Sequence, residues 1–275
     1  MPSRFRFKGS AYGAAGVLTT PYNEIIQTQA SSNLSDIGGH GVGRSENFSH
    51  RNILRFDLAH TEVTGSRTHL DDTSAVTYST LVKATIEGLN IMGMVTADRV
   101  VANLVSTFRH VEGEKDTEPS VRLIGSRFEN LRIAGIPVKV CLNLDVLDRY
   151  HHHKDLKAAF SSGEKIVRDL FGGDDLKARH PKAPKEVKAF LDAPPEDGSE
   201  MPSTLSIVRK LEPECDAFEC FGHVIHIEGF GTIRLGEIQI CRTTRELTMV
   251  QVKLGCPVEG QACCGSVGGV GSDGN

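Results

Sequence analysis

The sequence predicts a mainly β protein, a β-sandwich or a short irregular β-solenoid-like core, carrying a helical insertion. Three observations lead there. Residues 74–108 are dense in Thr and Val, with apolar residues two apart, the period of a strand. A short segment recurs: Ile86-Glu87-Gly88-Leu89-Asn90-Ile91-Met92-Gly93 returns as Phe128-Glu129-Asn130-Leu131-Arg132-Ile133-Ala134-Gly135. It echoes again as Ile227-Glu228-Gly229-Phe230, followed by Ile233, Leu235 and Gly236. Finally, from His151 to about Pro194 the apolar spacing switches to three and four residues, as on one face of a helix.

The repeat carries a physical expectation. Leu89 and Ile91 share one side of a strand, as do Leu131 and Ile133. After the glycine the apolar set changes parity, from Leu131 and Ile133 to Ile136, Val138 and Val140, and from Ile233 and Leu235 to Ile238 and Ile240. A regular strand that changes parity turns its core side chains to water, so a bulge or corner must intervene. Gly93, Gly135 and Gly236 are therefore expected as corners, and the three segments as neighbouring rungs of one folded sheet.

In chain order, Phe5-Arg6-Phe7 and Ser10-Ala11-Tyr12 open with a short β pattern. Residues 28–50 are rich in Ser, Asn and Gly and read as loop. Ile53, Phe56, Leu58 and Val63 suggest strands ending in a turn at Gly65-Ser66. Residues 97–107 also fit a helix through Val100, Val101, Leu104 and Val105, but the surrounding composition favours a strand. Residues 121–147 continue in β, and 203–258 return to it, so 1–150 and 203–258 form one β-rich domain. Residues 151–202 form the helical insertion. It has too little apolar mass for a core of its own, and Pro194-Pro195 close its last short helix. Residues 259–275 read as a Gly- and Cys-rich flexible tail.

Composition narrows the function. The 275 residues carry a net charge of −4 with both signs interspersed, which gives no electrostatic case for nucleic acid. Trp is absent and Tyr scarce, so stacking platforms for bases or sugars are thin. No stretch approaches the roughly 18–20 apolar residues that span a bilayer. The start lacks the apolar run of a secretory signal, so the chain as written is expected in the cytoplasm, or at the cell surface if exported by another route. Seven cysteines cannot all pair within one chain, and in a cytosolic protein they are expected as thiols.

One stretch invites a metal. Cys215, Cys220, His223 and His226 place two soft and two borderline ligands within a dozen residues, the donor types of structural zinc. The spacing departs from usual knuckles, and His223 and His226 fall on opposite faces of an apparent strand, so a loop with two thiols and a strand with two polar positions is the competing reading. His151-His152-His153 reads as a polar linker. His60, His69, Asp71 and Asp72 would converge only if the turn at Gly65 folds them together. Cys263-Cys264 lacks a basic neighbour to lower a thiol pKa. Gly39-x-Gly41-x-Gly43 has no following Lys-Ser/Thr, and no strand–turn–helix setting surrounds a G-x-S-x-G nucleophile.

Ser126 to Val140, followed by Ile227-Glu228-Gly229-Phe230-Gly231-Thr232-Ile233 and Leu235-Gly236-Glu237, resembles the core of the bacterial choice-of-anchor P domain. Gly9-Ser10-Ala11-Tyr12-Gly13 is similar to the opening of such domains, and Gly88-Leu89-Asn90-Ile91 with Val95-Thr96-Ala97-Asp98-Arg99-Val100 to their middle segment. Together these cover about half the chain. The resemblance implies a β-rich surface or extracellular protein with no assigned reaction and no catalytic residues to carry over.

The expectation is thus a non-enzymatic structural or self-assembling surface protein, a homo-oligomer or filament without a membrane span. Alternatives are a zinc-binding module or metal-dependent hydrolase built on the Cys/His set, and a carbohydrate-binding β domain.

Overall fold

The structure is a computed structural model. It describes residues 5–69, 75–111, 118–171, 183–185, 187–188, 204–212, 218–241, 244–255, 257–269 and 272–273.

Two antiparallel sheets carry the fold. The first is a chain of long hairpins: β1 (Ser10–Leu18) and β2 (Glu24–Gln29) go to the second sheet, then β3 (Gly39–His50), β4 (Leu54–His69), β5 (Ala75–Ile91) and β6 (Val95–Val111) pair in sequence order. Beyond β6 lie β7 (Arg127–Glu129) and β8 (Arg132–Ile133), both antiparallel to it. The second sheet runs β9 (Val224–Ile227), β10 (Gly231–Ile240), β11 (Arg245–Leu254), β12 (Gly260–Gly268), then β1 and β2. Between β8 and β9 the described residues include three short helices, α1 (Asp145–Arg149), α2 (His153–Ser161) and α3 (Lys165–Arg168). Their Val146, Leu147, Leu156, Ala159 and Val167 join the main core, so the helices cap the sandwich without a core of their own.

Apolar alternation explains the stacking. Leu54, Phe56, Ala59 and Val63 of β4 point inward with Val82, Ala84, Ile86 and Leu89 of β5. From the other sheet Ile233, Leu235, Leu247, Val250 and Val252 meet them in one continuous cluster. In space β1 lies on β4 and β5, β12 on β5 and β6, and β11 on β6. The core is therefore a sandwich and not a solenoid.

Both sheets break parity along a transverse line. In β4 the inward set shifts from Leu54 and Phe56 to Ala59 and Val63, in β5 from Val82, Ala84 and Ile86 to Leu89 and Ile91, and in β6 from Val95 and Ala97 to Val100, Ala102 and Leu104. Register puts all these shifts in one row. Leu58 pairs with Glu87 and Arg55 with Asn90, so Asp57 faces Gly88. Glu87 pairs with Arg99 and Leu89 with Ala97, so Gly88 faces Asp98 on its other side. The row runs Asn47–Asp57–Gly88–Asp98–Asn130, and alternate members are left-handed: Asn47 at φ 50°, Gly88 at 65° and Asn130 at 51°. Asn and Gly are the residues that tolerate this conformation. The second sheet has a matching row, Gly236–Met249–Gly265–Gly13, with Gly236 at 59° and Gly265 at 64°. The two lines touch: a Cβ added to Gly13 would lie 2.6 Å from the Ala59 Cβ.

These rows recast the repeat. Gly88 and Asn130 are its equivalent positions, and they flank the same residue, Asp98, from the two sides of β6. The first two copies are thus related across a shared strand. The third lies in the other sheet, so the expectation of three neighbouring rungs is corrected. Gly93 and Gly135 are hairpin turns where the chain reverses, each preceded by another left-handed residue, Met92 and Ala134. Gly236 alone of the three is a break inside a continuing strand.

Three other expectations are corrected. Gly39–His50 is the outermost strand β3 and not a loop, because its backbone pairs along its length with β4. Gly65-Ser66 lies within β4, paired to Thr80 and Ser79, and makes no turn. The stretch from Gly260 to Gly268 is β12, in the middle of the second sheet, and not a flexible tail. Its small residues serve close packing, with Ala262, Cys264 and Val267 buried between the sheets. Residues 97–107 lie in strand β6, and Asp71 and Asp72 fall outside the described residues.

Candidate binding trough

The parity break opens a trough on the outer face of the first sheet. One wall is the break row, whose Asp57, Asp98 and Asn130 stand exposed. The other is the next outward row, Ser49–Arg55–Asn90–Thr96–Arg132, held in order by direct cross-strand pairing. Between them the floor is Gly88 with the inward row Phe48, Phe56, Leu89 and Ala97. The cavity measures about 550 Å³. It crosses five strands, four spacings of about 4.8 Å each, so it is roughly 19 Å long.

Gly88 makes the space. A Cβ there would overlap the Asp57 carboxylate, with Cγ at 2.5 Å, so Asp57 lies over the glycine backbone. Across the glycine, Asp98 Oδ2 accepts a hydrogen bond from Asn130 Nδ2 at 2.7 Å. Asn90 Oδ1 accepts from the Gly93 amide at 2.8 Å, which turns its own NH₂ group to donation. Arg132 donates to Gly135 O at 3.3 Å and keeps its other guanidinium donors. Beside the trough, Arg99 bridges the two repeat copies, 2.7 Å from Glu87 and 3.7 Å from Glu129. The hydrogen bond to Glu87 raises the Arg99 pKa. Formal charge in the trough balances, with Asp57 and Asp98 against Arg55 and Arg132. His, Cys and Lys are absent from the lining among the described residues.

The zinc candidates lie elsewhere. Cys215 is outside the described residues. Cys220 pairs with Ile225 and Glu219 with His226 in the hairpin of Glu219–Phe221 and β9, which puts Cys220 and His226 on opposite faces. His223 sits at the hairpin turn with Nε2 3.1 Å from Glu237 Oε1. The described three are therefore not brought together, and no group of three or more His, Cys, Asp or Glu among the described residues is arranged to hold a metal. Arg234 completes a triad around the buried Glu237 carboxylate, 2.9 Å from Glu237 Oε2, with His223 and Arg234 themselves half-buried. Burial raises the Glu237 pKa, but His223 and Arg234 outweigh it and hold the carboxyl below its usual range.

The remaining candidates also disperse. His60 and His69 lie nine residues apart on one unbroken strand, about 30 Å. His151 Nδ1 is 3.2 Å from Asp148 O at the junction of α1 and α2. Cys263 and Cys264, adjacent on β12, point to opposite faces, and burial pushes the Cys264 thiol far up. The trough residues Arg55, Asp57, Asp98, Asn130 and Arg132 escaped sequence reasoning. A signal did exist: the aligned repeat equates Gly88 with Asn130, and both fall beside Asp98.

A family model described as "Domain of unknown function (DUF8256)" matches residues 5–241. The chain belongs to the DUF8256 family. The matched DUF8256 stretch contains the whole trough and ends before β11 and β12, although β12 lies mid-sheet. No curated protein and no solved structure matches the chain.

Proposed function

We propose that this chain is a non-enzymatic β-sandwich interaction protein that works by presenting the outer face of its first sheet, and the trough in it, to a partner. The trough itself carries the reading. Its polar groups are fixed by strand register on a rigid scaffold, which suits recognition. Its carboxylates stand exposed on opposite sides of Gly88, and no nucleophile–base pair lines it, so its chemistry suits holding more than bond-making. No helix among the described residues is long and apolar enough to cross a membrane. Growth into filaments by simple strand addition at β3 is opposed by the break at Asn47, because an added strand needs its own parity change in that row.

Amide chemical-shift mapping against a panel of glycans, peptides and nucleotides tests the reading. Perturbations centred on Asn47, Asp57, Gly88, Asp98 and Asn130, with the ligand recovered intact, are expected. Perturbations confined to the second sheet, or consumption of the ligand, contradict it.

A further inference from the structure

We infer that the trough takes a neutral, hydroxyl-rich chain, an uncharged oligosaccharide, lying across the strands. The inference rests on the reading of the trough as a contact site and names its ligand class.

Four observations select that class. The cavity of about 550 Å³ lies within the usual range for a bound small molecule, but its walls are polar. Apolar atoms are confined to the floor, where Phe56, Leu89 and Ala97 are buried and Phe48 is half-buried. An apolar ligand would strip water from both walls without replacing its hydrogen bonds. Next, charge balances across the walls, Asp57 and Asp98 against Arg55 and Arg132, so a polyanion or polycation meets a like charge on one side.

Third, one-way groups stand in both walls, among the two-way hydroxyls and amides of Ser49, Thr96, Asn47 and Asn130. Asp57 and Asp98 only accept; Arg55 and Arg132 only donate; Asn90 is turned to donate because its oxygen already serves the Gly93 amide. A hydroxyl both donates and accepts, so one hydroxyl can bridge Asp57 and Arg55, whose row positions are two residues apart on β4. A chain with a hydroxyl at nearly every carbon meets this pattern along its length. Fourth, the trough runs perpendicular to the strands for roughly 19 Å and offers side chains, not backbone edges. That shape suits an extended ligand of several rings and does not suit a peptide adding as a strand.

Without a stacking platform of Trp or Tyr, recognition rests on hydrogen bonds exchanged with water. The dissociation constant is therefore expected on the order of 0.1–1 mM.

The test is a titration of the full chain, followed by amide shifts and calorimetry, with four probes: a neutral linear glucohexaose, an oligogalacturonate, a chitosan oligomer and an uncharged extended peptide. The glucohexaose is expected to shift the trough amides, with affinity unchanged by added salt because no net charge is neutralised. Asp57→Asn, Arg55→Ala and Arg132→Ala, all at exposed positions with ordinary backbone, are each expected to weaken it about fivefold to tenfold with the fold intact by circular dichroism. If only the charged glycans or the peptide shift the trough, the ligand class is overturned and the contact-site reading stands. If no probe shifts the trough while any shifts another face, both fall. If the glucohexaose binds there and is cleaved, the ligand class stands and the non-enzymatic reading falls.

Discussion

Replacing Gly88 with alanine strikes the break row and the trough at once. Gly88 sits at φ 65°, where an L side chain costs about 1–2 kcal/mol. The new Cβ would also lie 2.5 Å from the Asp57 Cγ and 3.1 Å from its Cβ. Asp57 is exposed and can yield, but leaving its rotamer adds about 0.5–1.5 kcal/mol. The sum is about 1.5–3.5 kcal/mol, a fall in melting temperature of roughly 3–14 °C for a chain this size. Urea unfolding of wild type, Gly88→Ala, Asp57→Ala and the double variant separates the two parts. The double variant should recover the Asp57 share, a coupling of about 1 kcal/mol, and leave the backbone share. Gly88→Asn should lose less through the backbone, since Asn47 and Asn130 hold the same conformation in the same row. A Gly88→Ala protein within about 0.5 kcal/mol of wild type would refute both the left-handed backbone and the overlying carboxylate.

Other outcomes follow from the same geometry. Gly13→Ala overpacks the contact between the two break lines and should cost about 1–3 kcal/mol by thermal unfolding; adding Ala59→Gly should return part of that loss, whereas additive losses would separate the lines. Gly236→Ala should cost more than Gly265→Ala on the same measurement, because its Cβ would lie 2.8 Å from Ile207 Cγ1 in the core while the other finds 3.5 Å contacts. Glu237 has a depressed pKa in the folded state, so its stabilisation is present above the unfolded carboxylate value of about 4.3 and is lost as pH falls through the folded value. Urea midpoints should therefore fall more steeply below about pH 5 in wild type than in Glu237→Gln, and parallel profiles would remove the triad from the account. Alkylation mapped by mass spectrometry should leave Cys264 unmodified until urea unfolds the chain, since the thiol is buried and its pKa raised; modification in the native state would contradict the placement of β12.

The sequence announced much of the fold through periodicity. Alternation in Val82, Ala84 and Ile86 marks a half-buried strand, and the spacing of Leu156, Ala159 and Phe160 marks a helix. The parity break was legible too, but its position was misplaced in the first two copies. Gly93 and Gly135 are the conspicuous glycines of the two copies, whereas the break falls at Gly88 and at Asn130, which carries a side chain and so hides its left-handed backbone. β3 and β12 were misread for one physical reason. Glycine and serine signal loops on average, yet here they permit close approach: a Cβ on Gly43 in β3 would lie 2.5 Å from Ser31 O, and one on Gly260 in β12 would overlap Val17 O and lie 2.9 Å from Leu18 Cα. The trough is the least legible feature, since Asp57, Asp98 and Arg132 are far apart in sequence and ordinary as residues. Only cross-strand register assembles them, and register is not written in local composition.

The central claim is that both sheets break along lines that stack on each other and so open the trough over Gly88. Nuclear Overhauser contacts from the Gly13 Hα protons test it most directly. The account predicts a strong contact to the Ala59 methyl, with Gly88 amide contacts to Asp57 on one side and Asp98 on the other. Contacts from Gly13 to Val63 or Phe56 instead would place the break in another row and contradict the trough with it.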